Sequence, residues 1–128
     1  MRRQSREAVF QYIFSKLFNQ ASEGLFEALI IKLNEEDKDF AKKLLSAVEN
    51  DMQNILEKIE NLSVGFKLNR LLNTDKCALL IGIAELDNFK DTPQPVVIDE
   101  AVTLCAKFST EKSTSYVNGI LSKYARGL

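Results

Sequence analysis

Eight consecutive residues, Cys77-Ala78-Leu79-Leu80-Ile81-Gly82-Ile83-Ala84, carry no polar side chain. The neighbouring segments repeat apolar residues every three to four positions, so the run reads as part of a helix, capped by Asn73 or Thr74 and starting at Asp75. A helix that is apolar all round has no face to give to water and must be central, with other helices packed on every side. Gly82 lies inside it and costs about 1 kcal/mol relative to Ala in a helix interior, which points to a close approach by another helix. Glu85 follows the run directly and reads as an exposed or salt-bridged carboxylate near the helix end, or else as a partner contact.

The rest of the chain supplies the surrounding helices. Residues ~4–19 place Val9, Phe10, Tyr12, Ile13, Phe14, Leu17 and Phe18 at helical spacing, with a wide aromatic face. A short helix follows around Leu25, Phe26, Leu29, Ile30 and Leu33. Asn34 is a good cap for a long third helix, with Glu35, Glu36 and Asp37 in its first turn, where the helix dipole favours acids. Its apolar stripe runs from Phe40 through Leu44, Leu45, Val48, Met52, Ile55 and Leu56 to Ile59, and predicts one continuous helix. Ser63-Val64-Gly65 marks a joint, and Phe66 to Leu71 one short turn. Pro93 and Pro95, the only prolines, start a helix with Asp99 and Glu100 in its first turn. After a polar break at Ser109 to Ser113, a last helix carries Tyr116, Val117, Ile120, Leu121 and Tyr124, with Gly119 read as a close-packing site inside it. No segment alternates in the way a half-buried strand does, so six to seven helices and an all-α fold are expected over the single domain 1–128.

The chain has no His and two well-separated Cys. Ser-His and Cys-His dyads and His-ligated metals are therefore excluded, and Cys77 and Cys105 read as small buried hydrophobes. The carboxylates form no diagnostic constellation by spacing. The expectation is a non-enzymatic binding protein with no cofactor and no metal site. No apolar run approaches the ~20 residues that span a bilayer, and Met1 to Glu7 lacks a signal peptide's apolar core, so no membrane role and a cytoplasmic location are expected. The formal net charge of -1 hides an asymmetry: residues 1–20 carry +3, residues 21–60 carry -5 and residues 61–128 carry +1. Arg2, Arg3 and Arg6 sit at the start of the first helix, the unfavourable end for cations. Such a basic start on an acidic body suits an anionic partner.

Four segments in order resemble the NusB family of bacterial transcription antitermination factors. Arg2-Arg3-Gln4-Ser5-Arg6-Glu7-Ala8, with Gln11 and Phe14, resembles the family's arginine-rich opening helix. Leu68-Asn69-Arg70-Leu71 and Asp75-Lys76, leading to Leu79 and Ala84-Glu85-Leu86, are similar to its central "RL…D/E-K/R…LR…YEL" segment. Pro93 with Val97-Ile98-Asp99-Glu100-Ala101-Val102 resembles "P…VxINEAVELAK", and Tyr116-Val117-Asn118-Gly119-Ile120-Leu121 is close to "FVNGVL". The chain departs from the pattern at Leu80, where the family has Arg, at Ala84 for Tyr, at Phe66 for Trp, at Ala106 for Lys and at Ser109 for Gly.

The resemblance implies two packed helical subdomains, approximately 1–62 and 63–128. It also implies binding to the boxA element of ribosomal RNA leader transcripts together with NusE, a ribosomal small-subunit protein, and through that complex an indirect association with elongating RNA polymerase. Arg2, Arg3 and Arg6 would contact RNA. Phe14 and Glu85 would face NusE, with Lys112 and Tyr116 as further candidates for that surface. Gly82, Asn118 and Gly119 would serve the packing of the helices. A diverged scaffold that binds protein but little RNA is the competing reading, and a homodimer that hides the basic helix is compatible with either.

Overall fold

The computed structural model describes residues 2–63 and 71–128. The joint at Val64-Gly65 and the family segment Leu68-Asn69-Arg70 lie outside the described residues. Seven helices are present among the described residues: α1 (Arg2–Leu17), α2 (Leu25–Ile30), α3 (Glu35–Asn50), α4 (Met52–Leu62), α5 (Asn73–Asn88), α6 (Gln94–Phe108) and α7 (Glu111–Arg126). None of the described helices is long and apolar enough to cross a membrane.

The central helix is α5. Every residue from Cys77 to Leu86 is buried, and α5 packs against α1, α3, α4, α6 and α7. The apolar run thus has a neighbour in each direction, as a helix without a polar face requires. Cys77 and Cys105 are both buried and free, and burial pushes each thiol up to about 12. The α5 start differs by two residues from the expected one. Asn73 is already helical, and Leu72 takes the cap position without a side-chain bond. Thr74 does not cap because its hydroxyl donates instead to Ser109 Oγ on the α6–α7 connection, at 2.9 Å.

The predicted third helix is two helices. The backbone leaves helical geometry at Asp51 (φ -125°, ψ 16°), between α3 and α4. Asn50 and Asp51 have short polar side chains that compete with the helical backbone, and Asp51 Oδ1 accepts from Asn54 Nδ2 at 2.8 Å. Both pieces nevertheless keep their apolar stripes inward: Phe40, Leu44 and Val48 in α3, Ile55 and Ile59 in α4. The α3 cap is the expected one, with Asn34 Oδ1 accepting from the Asp37 amide at 2.8 Å. Pro93 sits at the α6 cap and Pro95 in its first turn, so the helix begins at Gln94. Asp99 and Glu100 consequently fall in the second turn, beyond the place expected for them, and Glu100 is used in a tertiary contact. A polar tie joins three helices at the far end. Tyr124 Oη of α7 donates to Asp87 Oδ1 of α5 at 2.6 Å, and Lys58 Nζ of α4 reaches Asp87 Oδ2 at 3.3 Å.

The two helical glycines differ. A Cβ at Gly82 would lie 2.8 Å from Leu121 Cδ1 and 3.4 Å from the Ala101 Cβ, so α7 and α6 both close on α5 there. Gly119 was expected to be a close-packing site, but a Cβ there would meet nothing within 4 Å. The α7 core stripe is Val117, Ile120, Leu121 and Ala125, which turns positions 118 and 119 outward. Asn118 is likewise exposed, with Oδ1 accepting only from Ser122 Oγ at 3.4 Å, so neither residue packs the last helix.

Opposite effects of the same substitution are expected. Gly82→Ala overpacks a buried seam and lowers the unfolding free energy by about 1 kcal/mol after the gain in helix propensity. Gly119→Ala removes backbone entropy at an open site and raises it by roughly 0.5–1 kcal/mol. Urea midpoints of the two variants check this, and a rise in both would show that the α5–α7 seam has room to spare.

Candidate nucleic-acid and partner interface

The three arginines of α1 have three different environments. Arg6 falls on the same helical face as Val9, Phe10 and Ile13, and that face turns inward. Only 4% of Arg6 is exposed, and only 1% of Glu85. Arg6 Nε donates to Glu85 Oε1 at 2.7 Å and Nη2 to Oε2 at 2.5 Å, a two-pronged pair inside the bundle. Arg6 was expected on the RNA surface and Glu85 on the partner surface. The structure places both in the interior, each facing the other.

Arg2 and Arg3 lie outside this pair. Arg2 Nη1 donates to Thr92 Oγ1 at 3.0 Å, Nη2 is 3.6 Å from Asp91 Oδ2, and the guanidinium lies 4.4 Å from the Phe40 ring centre. Arg3 grips Glu100 with Nε and Nη2, at 3.1 and 3.2 Å, and these bonds raise its pKa further. Both arginines keep substantial exposure, Arg3 about half of its side chain. Acids from elsewhere in the fold thus offset the charge repulsion of cations at a helix start. On the next turn Lys107 of α6 pairs with Glu7 at 2.8 Å. Leu80, at the family's Arg position, is fully buried in α5, whereas Ala106 is exposed beside Lys107.

The other end of α1 is aromatic. Phe14 is half-buried, stacked on Phe10 at 6.3 Å and edge-on to Phe18 at 4.9 Å. Phe18 and Leu72 are exposed, at 48% and 52%. A cavity of about 470 Å³ between them, lined also by Phe14 and Lys76, shares Leu71 and Leu72 with one of about 360 Å³ that reaches Lys112 and Tyr116. Phe14, Lys112 and Tyr116 therefore border one continuous apolar groove, although no sequence spacing links them. Tyr116 Oη lies 2.6 Å from Ser63 Oγ at the end of α4, which fixes the ring on the groove wall. Glu85 is not on this groove. The groove floor is held by buried Asp75, whose Oδ1 is 3.0 Å from Ser109 Oγ.

Set beside known proteins, this arrangement has clear relatives. The NusB family model matches residues 3–126. The chain belongs to the NusB family. It is 35% identical to the transcription antitermination protein NusB of Natranaerobius thermophilus, over 99% of this chain and 96% of that protein. It is 35% identical to the protein of the same name from Methylacidiphilum infernorum, over 94% and 87%. The NusB structure from T. maritima superimposes with a TM-score of 0.91 at 29% identity, covering 98% of this chain and 91% of that one. A solved complex of the antitermination factors NusB and NusE with double-stranded RNA contains a chain that matches with a TM-score of 0.86 at 26% identity, over 99% and 97%. The all-α fold and the membership in a family of antitermination factors are thereby fixed.

Loss of one half of the Arg6–Glu85 pair leaves a buried charge alone. Glu85→Ala is expected to cost about 3–5 kcal/mol, and the double substitution Arg6→Met with Glu85→Leu to regain most of it. Chemical denaturation of the three proteins measures this. A Glu85→Ala protein as stable as the parent would mean that the pair is open to water.

Proposed function

We propose that the protein is an antitermination factor of the cytoplasm that binds boxA-type leader RNA together with NusE and joins the elongating RNA polymerase through that complex. One observation carries the proposal: a single helix, α1, bears exposed arginines at its start and an apolar groove at its other end. Positions 2 and 14 of a helix are about 18 Å apart. A protein seated on the groove at Phe14, Lys112 and Tyr116 would sit beside the arginine edge and could extend it. Two exposed arginines bind an RNA strand weakly alone, since each phosphate contact contributes one increment of salt-dependent affinity. A composite surface supplies the remainder. The solved complex of a family member with NusE and RNA supports this reading.

Within this reading Arg2 and Arg3 touch RNA, and Arg6 acts as a positioning residue that fixes α1 through Glu85. The second reading, a protein-binding scaffold with little affinity for RNA, draws on the same ion pairs: Asp91 and Glu100 already occupy Arg2 and Arg3. RNA phosphates must displace them.

Anisotropy titrations with a boxA-type RNA, with and without NusE and at two salt concentrations, separate the two. Arg2→Ala with Arg3→Ala is expected to weaken binding at least tenfold and to lower the salt slope by about 0.7–0.9 per arginine. Glu100→Gln frees Arg3 and is expected to raise RNA affinity several-fold. Unchanged affinity and slope in the arginine variant, with NusE binding intact, would establish the scaffold instead.

A further inference from the structure

The cleft between α1 and the end of α2 has no role in the function above. It has a volume of about 300 Å³ and is lined by Gln4, Glu7, Gln11, Leu29, Lys32 and Leu33, with Ala8 at its base. Positions 4, 7, 8 and 11 form one face of α1, and the cleft begins one residue from Arg3. Gln4, Gln11 and Lys32 are exposed, and none of the three side chains has a hydrogen bond or ion pair among the described residues. Their neighbours on α1 are engaged: Arg2, Arg3, Ser5, Arg6 and Glu7 each hold a named partner. Glu7 gives Oε2 to Lys107, which leaves its other carboxylate oxygen.

We propose that this cleft is a subsite for a single unpaired nucleobase of the bound RNA, selective for bases with an exocyclic amine. The assignment rests on the RNA-binding reading of the arginine edge and deepens it. Two side-chain amides about 10 Å apart along the helix, with a carboxylate between them, do not make a phosphate site. They make a set of in-plane donors and acceptors, and single-stranded RNA is read through such contacts to splayed bases. Glutamine presents a donor and an acceptor together, the pattern that matches adenine, and a carboxylate accepts from an exocyclic amine. Adenine's amine has two hydrogens, one for the amide oxygen and one for the carboxylate, whereas uracil's pairing edge has a single N–H and cannot serve both. The aliphatic sides of Leu29 and Leu33 offer the base a wall to pack against, and Lys32 at the rim takes a flanking phosphate. The strand would run from Arg2 and Arg3 across the exposed face of α1 towards Lys32.

The test uses two short single strands with NusE present: one of uridine only, and the same strand with adenosines at its centre. The parent protein is expected to prefer the adenosine strand. Gln4→Ala with Gln11→Ala is expected to lose roughly tenfold on the adenosine strand and little on the uridine strand, so the preference collapses. Lys32→Ala is expected to weaken both equally and to reduce the salt slope by about 0.7. All three positions are exposed, so unchanged thermal melts serve as the folding control. A parent protein without preference, or a glutamine variant that keeps the preference, overturns the subsite. If Arg2→Ala with Arg3→Ala weakens both strands while the glutamine variant keeps its preference, the subsite falls alone. If the arginine variant also binds unchanged, the RNA reading falls with it.

Discussion

The Arg6–Glu85 pair sets the position of everything that α1 carries. A bidentate guanidinium–carboxylate contact tolerates little rotation, and both groups are sealed from water. Turning α1 by one residue, about 100°, would leave two buried charges unpaired. The cost of that error is several kcal/mol, larger than the differences between alternative apolar packings of the same aromatic face. A buried ion pair is weak evidence for stability but a strong constraint on register, because its alternatives are so poor. Phe40 adds to the constraint, since its ring lies under both Arg2 and Arg6. Ser5 completes it with a hydrogen bond to the Asp37 carbonyl at the start of α3.

Much of the architecture was legible because it rests on local pattern. The all-apolar run at 77–84 could only be central, and α5 is. Asn34 capped where its side chain and the acids after it said it would. The errors arose where tertiary contacts outbid local preference. Thr74 is a good cap by type but bonds to Ser109, a residue 35 positions away. Asn118-Gly119 matches a family segment, yet the helical register of α7 turns it to solvent. The continuous stripe from Phe40 to Ile59 concealed the break at Asp51, because the apolar spacing survives the kink.

The site was less legible than the fold, for a reason that concerns charge. Three arginines at a chain start read as one patch. Their place along the helix separates them: Arg6 lies three and four residues before Val9 and Phe10, within the buried seam, whereas Arg2 and Arg3 lie one turn earlier on the same face, at the helix end. A buried base requires a buried acid, and Glu85, at the end of the one helix without a polar face, was the matching group. Burial of both could have been inferred jointly from these two spacings, though from neither alone. The groove at Phe14, Lys112 and Tyr116 carried no such signal, since it is assembled from three helices by the packing of α5.

Self-pairing also limits what kind of RNA surface α1 would be on the proposed function. Each exposed arginine is held by an acid on the opposing loop or helix, Asp91 or Glu100, so its charge is partly screened before any RNA arrives. An incoming phosphate gains the arginine only as the carboxylate lets go, and exposed pairs of this type are individually worth little. The exchange is therefore close to balanced, and a strand held by phosphate contacts alone would bind weakly and with little discrimination. Net affinity must come from groups with no prior partner or from a second protein. On this chain the amides and the lysine of the α1–α2 cleft are polar groups without a prior partner, and the groove at Phe14, Phe18 and Leu72 is uncovered apolar surface. On the proposed function, the pre-paired arginines would act as a filter: they would align RNA that is already held at another point, and reject polyanions that offer charge and nothing else.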